Sequence, residues 1–270
     1  MAGVETRSMT DLQERALREL REIVEKYSAG EAEVVRAYFS KQHTNEEHIE
    51  VMLKQMGREI QARQWAEEVV PMARDLERGV DRHDYVTYLR ENAEEAEHYT
   101  LLADIAEWLN GGPLPADRLL GYEIVARFDP NLDPKLLYNP KLPEAARNVD
   151  VGKEIVAALG RERARELMHL SEGGGGGAFL EAAKLHGDEF KDKLGAAMRK
   201  IAHDEMGHGP GRVVPFVEQR IHTEAELEAD KHWLDAFMLA HLRVRNEIWG
   251  NPLSNERIAQ IQRGEGAPVA

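Results

Sequence analysis

Two Glu-x-x-His motifs constrain the fold of this chain more than any other feature. They are Glu95–His98 and Glu205–His208, and each lies within a long segment predicted to be an amphipathic helix. Residues three apart share one face of a helix, so each motif directs a carboxylate and an imidazole to the same point. Two such helices that face each other, with one further Glu from each of two partner helices, form a cage for two transition-metal ions.

Both motifs lie on the apolar face of their helices, because each continues a stripe that advances in steps of three and four residues. The first stripe is Tyr88, Glu91, Glu95, His98, Leu102, Ile105 and Leu109. The second stripe is Leu194, Met198, Ile201, Glu205 and His208. Carboxylates and imidazoles are costly to bury in a core unless something neutralises them. A pair of divalent metal ions is a sufficient partner.

A third copy of the motif, Glu166–His169, tests whether the pattern arises by chance in an acidic helical chain. Its stripe is Ile155, Leu159, Glu162, Glu166 and His169, which turns polar after two positions. We therefore predict that this copy faces solvent. One motif alone would favour chance, whereas two motifs on apolar faces of separate hairpins indicate a site.

The rest of the chain is predicted to be helical, apart from one long connection and the tail. The predicted helices are 9–27 (ended by residues 28–30), 31–42, 44–78 with a kink or division at Pro71, 81–109, 149–186, 188–208 and 223–249. Residues 111–148 contain six of the eleven prolines and are predicted to be mostly irregular. The tail, 260–270, is predicted to be disordered.

These segments predict an all-α fold, with residues 1–270 forming a single domain. Two helical hairpins, about 44–109 and 149–210, are joined by the crossover 111–148. One long crossover between antiparallel helix pairs is a known connectivity of four-helix bundles. Additional helices precede and follow the bundle.

Hairpin geometry predicts the partner carboxylates, because facing residues of an antiparallel pair lie equally far from the turn. Glu172 lies 16 residues before Asp188, and Glu205 lies 17 after it. In the first hairpin, counting 14 residues back from Asp81 leads to Glu67, as counting 14 forward leads to Glu95. Two other acids, Glu68 and Glu59, remain alternatives to Glu67, because turn length and the Pro71 kink blur the register.

The order of these residues resembles that of the ferritin-like di-iron carboxylate superfamily, over about residues 44–210. The resemblance implies a ferritin-like four-helix bundle and two Fe ions bridged by Glu95 and Glu205. It also implies that Glu67 and Glu172 are carboxylate ligands and that His98 and His208 supply nitrogen. Carboxylate and imidazole ligands suit iron or manganese, so Mn is possible at one or both sites. Asp204 either orients a histidine or is an ordinary exposed residue.

Five consecutive glycines follow Glu172, at positions 173–177. Each costs about 1 kcal/mol relative to Ala inside a helix. One interpretation is that they leave space beside the metals for oxygen or substrate, or let the helix form a π-bulge. The other is a flexible loop that divides the helix.

Composition excludes several classes of site and partner. The chain has no cysteine, which excludes disulfides, thiolate zinc sites, iron–sulfur clusters and a cysteine nucleophile. A net charge of −14 disfavours nucleic acid and anionic membrane surfaces as partners. No apolar run approaches the roughly 20 residues of a membrane span, and no signal-peptide core is present, so we expect a cytoplasmic protein.

The expected function is that of a di-iron oxidoreductase that activates O₂ to hydroxylate or oxidise a small organic substrate. A chain without cysteine needs an external electron donor, a ferredoxin or a reductase. Two alternatives remain: a rubrerythrin-like or ferritin-like peroxidase or ferroxidase, and a non-enzymatic helical scaffold whose buried acids pair with arginines. The long helices are compatible with a homodimer.

Overall fold

The computed structural model describes residues 9–59, 82–122, 141–171, 176–208 and 213–266. Within the helices, the side chains of 83, 84, 87, 88 and 206–208 are not among those described. Every regular element in these ranges is an α-helix, which confirms the predicted all-α class. The four-helix bundle itself stays a prediction, because residues 60–81 and Glu172 lie outside the described ranges.

Eleven helices occur in the described ranges. They are α1 (Asp11–Phe39), α2 (Asn45–Glu59), α3 (Arg82–Asn110), α4 (Ala116–Leu119), α5 (Pro143–Leu159), α6 (Arg161–His169), α7 (Gly177–Ala182), α8 (Glu189–His208), α9 (Val213–Arg220), α10 (Glu224–Ile248) and α11 (Asn255–Gln262).

Helix α1 is continuous where the sequence predicted a break at residues 28–30. Thr10 and Gln13 form a capping box at its start. Gly30 is retained inside the helix because its missing side chain makes room for neighbours: a Cβ there would lie 3.0 Å from Ile261 and 3.3 Å from Leu242. Packing against α10 and α11 therefore outweighs the helix-ending tendency of glycine.

Helices α2 and α3 form the antiparallel pair predicted for the first hairpin. Thr44 and Glu47 exchange the two hydrogen bonds of the predicted capping box at the start of α2. Asn45 donates to the carbonyl of Leu109 at the end of α3. At the other end of α2, Glu59 lies beside Glu95 of α3.

Helix α8 packs antiparallel to α3 on another side. Lys193 lies over the ring of Trp108 near one end of the contact, and Lys200 lies 3.1 Å from Glu97 farther along. Asp188 accepts a hydrogen bond from the amide of Lys191, as expected for the predicted N-cap of α8. Helix α8 is described as far as His208, and the break predicted at 209–211 lies outside the described residues.

The helix predicted over residues 149–186 is divided. It begins earlier, at Pro143, changes direction at Gly160 where φ is 81°, and ends at His169. Helix α7 begins at Gly177 and packs on α1 and α8. A Cβ at Gly177 would lie 2.0 Å from the carbonyl oxygen of Ser28, so this glycine permits close approach of α7 to α1. Four residues of the segment, 172–175, lie outside the described ranges.

Helix α10 packs on the side of α1 and contributes to the same core. It runs parallel to α1, with Tyr27 beside Asp235 and Glu31 beside His241, and it also packs against α5 and α2. The crossover contributes the single-turn helix α4, whose Arg118 pairs with Glu46 of α2.

The C-terminal segment contains a helix that the sequence did not predict. Helix α11 is capped by Ser254 and buries Ile258 and Ile261 against the core. It reaches three residues into the tail that was predicted to be disordered, and residues 267–270 lie outside the described ranges. No helix among the described residues is long and apolar enough to cross a lipid bilayer.

The close contact at Gly177 can be tested by adding one methyl group. Gly177→Ala should lower the free energy of unfolding by about 1–3 kcal/mol, because the new Cβ must displace the Ser28 backbone. Gly112→Ala is the matched control, since its Cβ would meet nothing within 4 Å. Urea denaturation of both variants measures the difference. Equal stability of the two would contradict this packing.

Candidate metal centre

Four side chains from three helices meet in one place. Glu59 is the last residue of α2, Glu95 and His98 lie on the inner face of α3, and Glu205 lies near the end of α8. One potential ligand atom from each lies within 4.8 Å of all the others. The three described residues of the two Glu-x-x-His motifs are thus brought together, as the sequence predicted.

The imidazole of His98 is at the centre of this cluster and is 1% exposed. Its Nδ1 atom lies 3.8 Å from Oε2 of Glu59 and 3.9 Å from Oε1 of Glu205. These distances are too long for hydrogen bonds, and the buried Nδ1 has no hydrogen-bond partner. A buried polar atom without a partner needs an explanation, and a bound ion is one.

The other ring nitrogen of His98 is held by Asp204. The Nε2 atom lies 3.0 Å from Oδ2 of Asp204, so Nε2–H donates to this carboxylate. The same oxygen accepts from the ammonium of Lys200 at 2.5 Å. A carboxylate on one imidazole nitrogen fixes the ring orientation and leaves the other nitrogen free to bind a metal. Of the two roles considered for Asp204, the structure supports the orienting one.

A second pair of residues positions Glu59. The side-chain amide of Gln55 donates to Oε1 of Glu59. Arg245 of α10 donates to Oε1 of Gln55 at 2.8 Å, which fixes the orientation of the amide with its NH₂ toward Glu59. The guanidinium of Arg245 also stacks over the ring of Phe179 in α7, 4.4 Å from its centroid. This arrangement leaves Oε2 of Glu59 directed at His98.

Glu59 and Glu95 are tightly coupled and do not ionise alike. Burial alone would raise the pKa of Glu59, but the adjacent imidazole of His98 and a hydrogen bond from Glu95 outweigh it and lower the pKa. Burial and the neighbouring charges of Glu59 and Glu205 raise the pKa of Glu95, so Glu95 keeps its proton and donates a hydrogen bond to Glu59.

His98 is protonated at neutral pH in the absence of metal. Burial opposes the charged form, but the nearby carboxylates of Glu59 and Glu205 and the hydrogen bond to Asp204 raise the pKa of His98 to about 9. Protons on Glu95 and His98 thus neutralise part of the acidic cluster. A divalent cation would perform the same task by displacing them.

A second buried network lies next to the cluster. The imidazole of His241 lies 2.7 Å from Glu31 through Nδ1 and 3.2 Å from a guanidinium nitrogen of Arg58 through Nε2. Burial lowers the pKa of His241 to about 4, so the ring is neutral and its Nε2 atom accepts a hydrogen bond from Arg58. Burial and the nearby Arg245 lower the pKa of Arg58 to about 10, against the opposing effect of several acids.

The donor set fits a divalent transition metal. Metal–nitrogen and metal–oxygen bonds of about 2.0–2.2 Å place neighbouring ligands about 3 Å apart and opposite ligands about 4 Å apart. The separations of Nδ1 of His98 from Glu59 and Glu205, 3.8 and 3.9 Å, fall within this range. Three carboxylates and one imidazole suit iron or manganese, and no thiolate competes for them.

The predicted ligand Glu67 lies outside the described residues, and so does Glu172. For His208 the backbone is described and the side chain is not. Glu59, one of the two alternatives to Glu67, occupies the position beside Glu95. The prediction placed the centre of the hairpin at Asp81. In the structure Asn45 pairs with Leu109 and Glu59 lies beside Glu95, and the midpoint of each pair in the sequence is position 77.

The third Glu-x-x-His copy is not part of the cluster. Glu166 is held by the guanidinium of Arg220 through two hydrogen bonds of 2.6 and 2.7 Å, which lower the pKa of its carboxyl. Glu162, on the same stripe, has a side chain that is 72% exposed. The prediction that this copy faces solvent is confirmed at Glu162, whereas Glu166 is only partly exposed because it pairs with Arg220.

Sequence reasoning missed the residues that hold the ligands in place. Gln55 precedes Glu59 by four residues and Lys200 precedes Asp204 by four, so helical spacing alone could have suggested both. Arg245 gave no such signal, because it belongs to α10 and reaches Gln55 only through tertiary packing.

Searches against protein-family models, curated proteins and solved structures found no match to this chain.

Metal binding should release protons. At pH 7 the first divalent ion must displace protons from both His98 and Glu95, because both pKa values lie above 7 in the metal-free protein. Apparent affinity should therefore rise as pH increases from 6 to 9, by about tenfold per unit for each proton displaced. Anaerobic calorimetric titration with Mn²⁺ in buffers of different ionisation enthalpy counts the protons. His98→Ala should release fewer, and binding without proton release in the wild type would contradict the assignment.

Removing the charge of Asp204 should weaken metal binding without removing a ligand. Asp204→Asn should lower Mn²⁺ affinity about 10–100-fold, the usual effect of losing a carboxylate that orients a ligand histidine. Glu189→Gln, an exposed site on the same helix, serves as the control and should leave the affinity unchanged. Unchanged affinity in both variants would show that Asp204 does not act through His98.

Proposed function

We propose that this protein is a di-iron oxidoreductase that activates O₂ to hydroxylate or oxidise a small organic substrate. The observation that carries the proposal is the unpartnered Nδ1 atom of His98, buried and facing carboxylate oxygens of Glu59 and Glu205. Burying this cluster with some of its negative charge left over is costly, and a bound cation would remove that cost.

The residues that would hold the first ion are Glu59, Glu95, His98 and Glu205. A second ion would draw on Glu172 and His208, the remaining members of the motif order that resembles the di-iron superfamily. In this proposal Glu95 and Glu205 would help to hold both ions, and Glu59 would take the role that counting along the hairpin gave to Glu67.

The chain itself excludes water and controls protons around the site. Helices α2, α3 and α8 cover His98, so a reactive species formed here would be protected from solvent. Asp204 accepts the Nε2 proton of His98 and thereby keeps Nδ1 available to a metal. Gln55 donates to one oxygen of Glu59, which keeps this carboxylate ionised and correctly directed.

Bound iron would supply the electrons that reduce O₂, and the protein would supply ligands, a dry site and substrate placement. Each turnover then requires electrons from outside, because a chain without cysteine holds no iron–sulfur module of its own. A ferredoxin or a reductase is the proposed donor.

The alternative in which buried acids pair with arginines is less well supported at this cluster. The side-chain hydrogen bonds of Glu59 are to Gln55 and Glu95, although the charge of Arg58 also acts on Glu59. Buried arginines nearby bind other groups: Arg58 binds His241, and Arg245 binds Gln55.

Metal content and oxygen uptake test the proposal together. The purified protein should contain about two Fe per chain, as expected for a cage of four carboxylates and two imidazoles, and should consume O₂ rapidly once reduced. Glu95→Ala and Glu205→Ala should each abolish tight dinuclear loading, whereas Glu166→Ala, in the third motif copy, should leave it intact. Stoichiometric zinc, an empty site, or turnover of peroxide without O₂ uptake would remove the proposal.

The same assay separates the two candidates for the α2 ligand. Glu59→Ala should lower the iron content, and Glu67→Ala should leave it close to the wild-type value. The reverse result would return the ligand role to Glu67 while keeping a di-iron site.

A further inference from the structure

Helix α3 carries charged residues on its inner face and large apolar residues on its outer face. Glu95 and His98 point inward to the cluster, and Glu91 and Glu94 are also partly buried. The exposed residues between 86 and 108 recur every three or four positions and so form one stripe, the outer face of α3. Apolar members of this face are Val86, Leu89, Ala93, Ala96 and Trp108.

This outer face is unusually apolar for a surface exposed to water. Five large hydrophobic side chains are exposed among the described residues, and three of them lie on this one helix. Val86 is 52% exposed, Trp108 is 39% exposed and Leu89 is 37% exposed. A helix with apolar residues all round is usually covered on all sides. An apolar stripe of this kind marks an interaction surface.

The charges on the outer face indicate what covers it. They are Arg90, Glu97 and Asp104, with Arg90 and Asp104 equally far before and after Glu97. Neither Arg90 nor Asp104 forms an ion pair with another described residue. In an antiparallel pair related by a two-fold axis, residues equally far from the centre face each other. Centred on Glu97, this register places Arg90 of each copy opposite Asp104 of the other.

The apolar residues fit the same antiparallel register centred on Glu97. Val86 of one copy faces Trp108 of the other, at both ends of the pair. Small residues, Ala93, Ala96 and Thr100, lie near the centre, where they permit close approach of the two helices. Beside Trp108 is a groove of about 360 Å³ between α3 and α8, lined by apolar atoms of Leu101, Ile105 and Ala197, which can receive side chains of the second copy.

The two Glu97 carboxylates would meet at the centre of this interface. Each is already neutralised, because Lys200 of the same chain lies 3.1 Å from Glu97. The stripe from residue 86 to 108 is about 33 Å long at 1.5 Å per residue, and with the adjacent groove it offers a footprint of ordinary interface length.

We propose that the outer face of α3 is a homodimer interface, in which two copies pair antiparallel about Glu97 with Arg90 opposite Asp104. The proposal is independent of the bound metal. It holds for the metal-free and metal-loaded protein alike, so its failure and the failure of the di-iron proposal are separable.

A charge-swap cycle tests both the interface and its register. Sedimentation across a concentration series should show a monomer–dimer equilibrium for the wild type. Arg90→Glu and Asp104→Arg should each weaken the dimer about tenfold or more, since each places like charges opposite each other twice. The double variant should recover most of the wild-type affinity. A monomeric wild type, or single variants that dimerise normally, would overturn the proposal.

The absence of cysteine provides a second, structural test. Glu97→Cys places one thiol on the proposed two-fold axis, and mild oxidation should link two chains there. Ala157→Cys, exposed on α5, is the matched control and should not link chains under the same conditions. Equal cross-linking by both variants, or none by either, would contradict pairing about Glu97. Circular dichroism of all variants confirms that the helices remain folded.

Discussion

The structure depends on the burial of three carboxylates and an imidazole where α2, α3 and α8 meet. In their place an ordinary bundle would carry apolar residues, and the electrostatic cost must be offset locally. Protons on Glu95 and His98 offset part of it in the metal-free chain. The surrounding helices supply the rest through two fixed polar groups. Asp204 accepts from His98 and is held by Lys200, and Gln55 donates to Glu59 and is held by Arg245.

The sequence could predict the features of this site that depend on near neighbours along the chain, but not those that depend on distant residues. Helical periodicity is local, so the inward placement of Glu95, His98 and Glu205 was predictable from spacing alone. Register across a hairpin is not local. When the assumed centre of the hairpin shifts by four residues, from 81 to 77, the residue expected opposite Glu95 shifts by eight, from Glu67 to Glu59. Glu172 and the side chain of His208 stay predictions, because neither is described.

The differences in helix boundaries have the same origin. Glycine is a helix-ending signal in isolation, yet Gly30 lies inside α1 because Ile261 and Leu242 occupy the space beside it. Gly177 begins a new helix because the Ser28 carbonyl approaches it closely. Both positions are decided by residues far away in the chain, and α11, which supplies Ile261, was itself not predicted. Propensity therefore identified the glycines as special without identifying their role.

One rigid helix carries the metal-binding residues on one face and an apolar stripe on the other. Thermodynamic linkage requires that whatever an ion in the cluster adds to the proposed pairing, the pairing adds equally to ion binding. Ion affinities compared at several protein concentrations would therefore report how strongly the two faces of this helix are coupled.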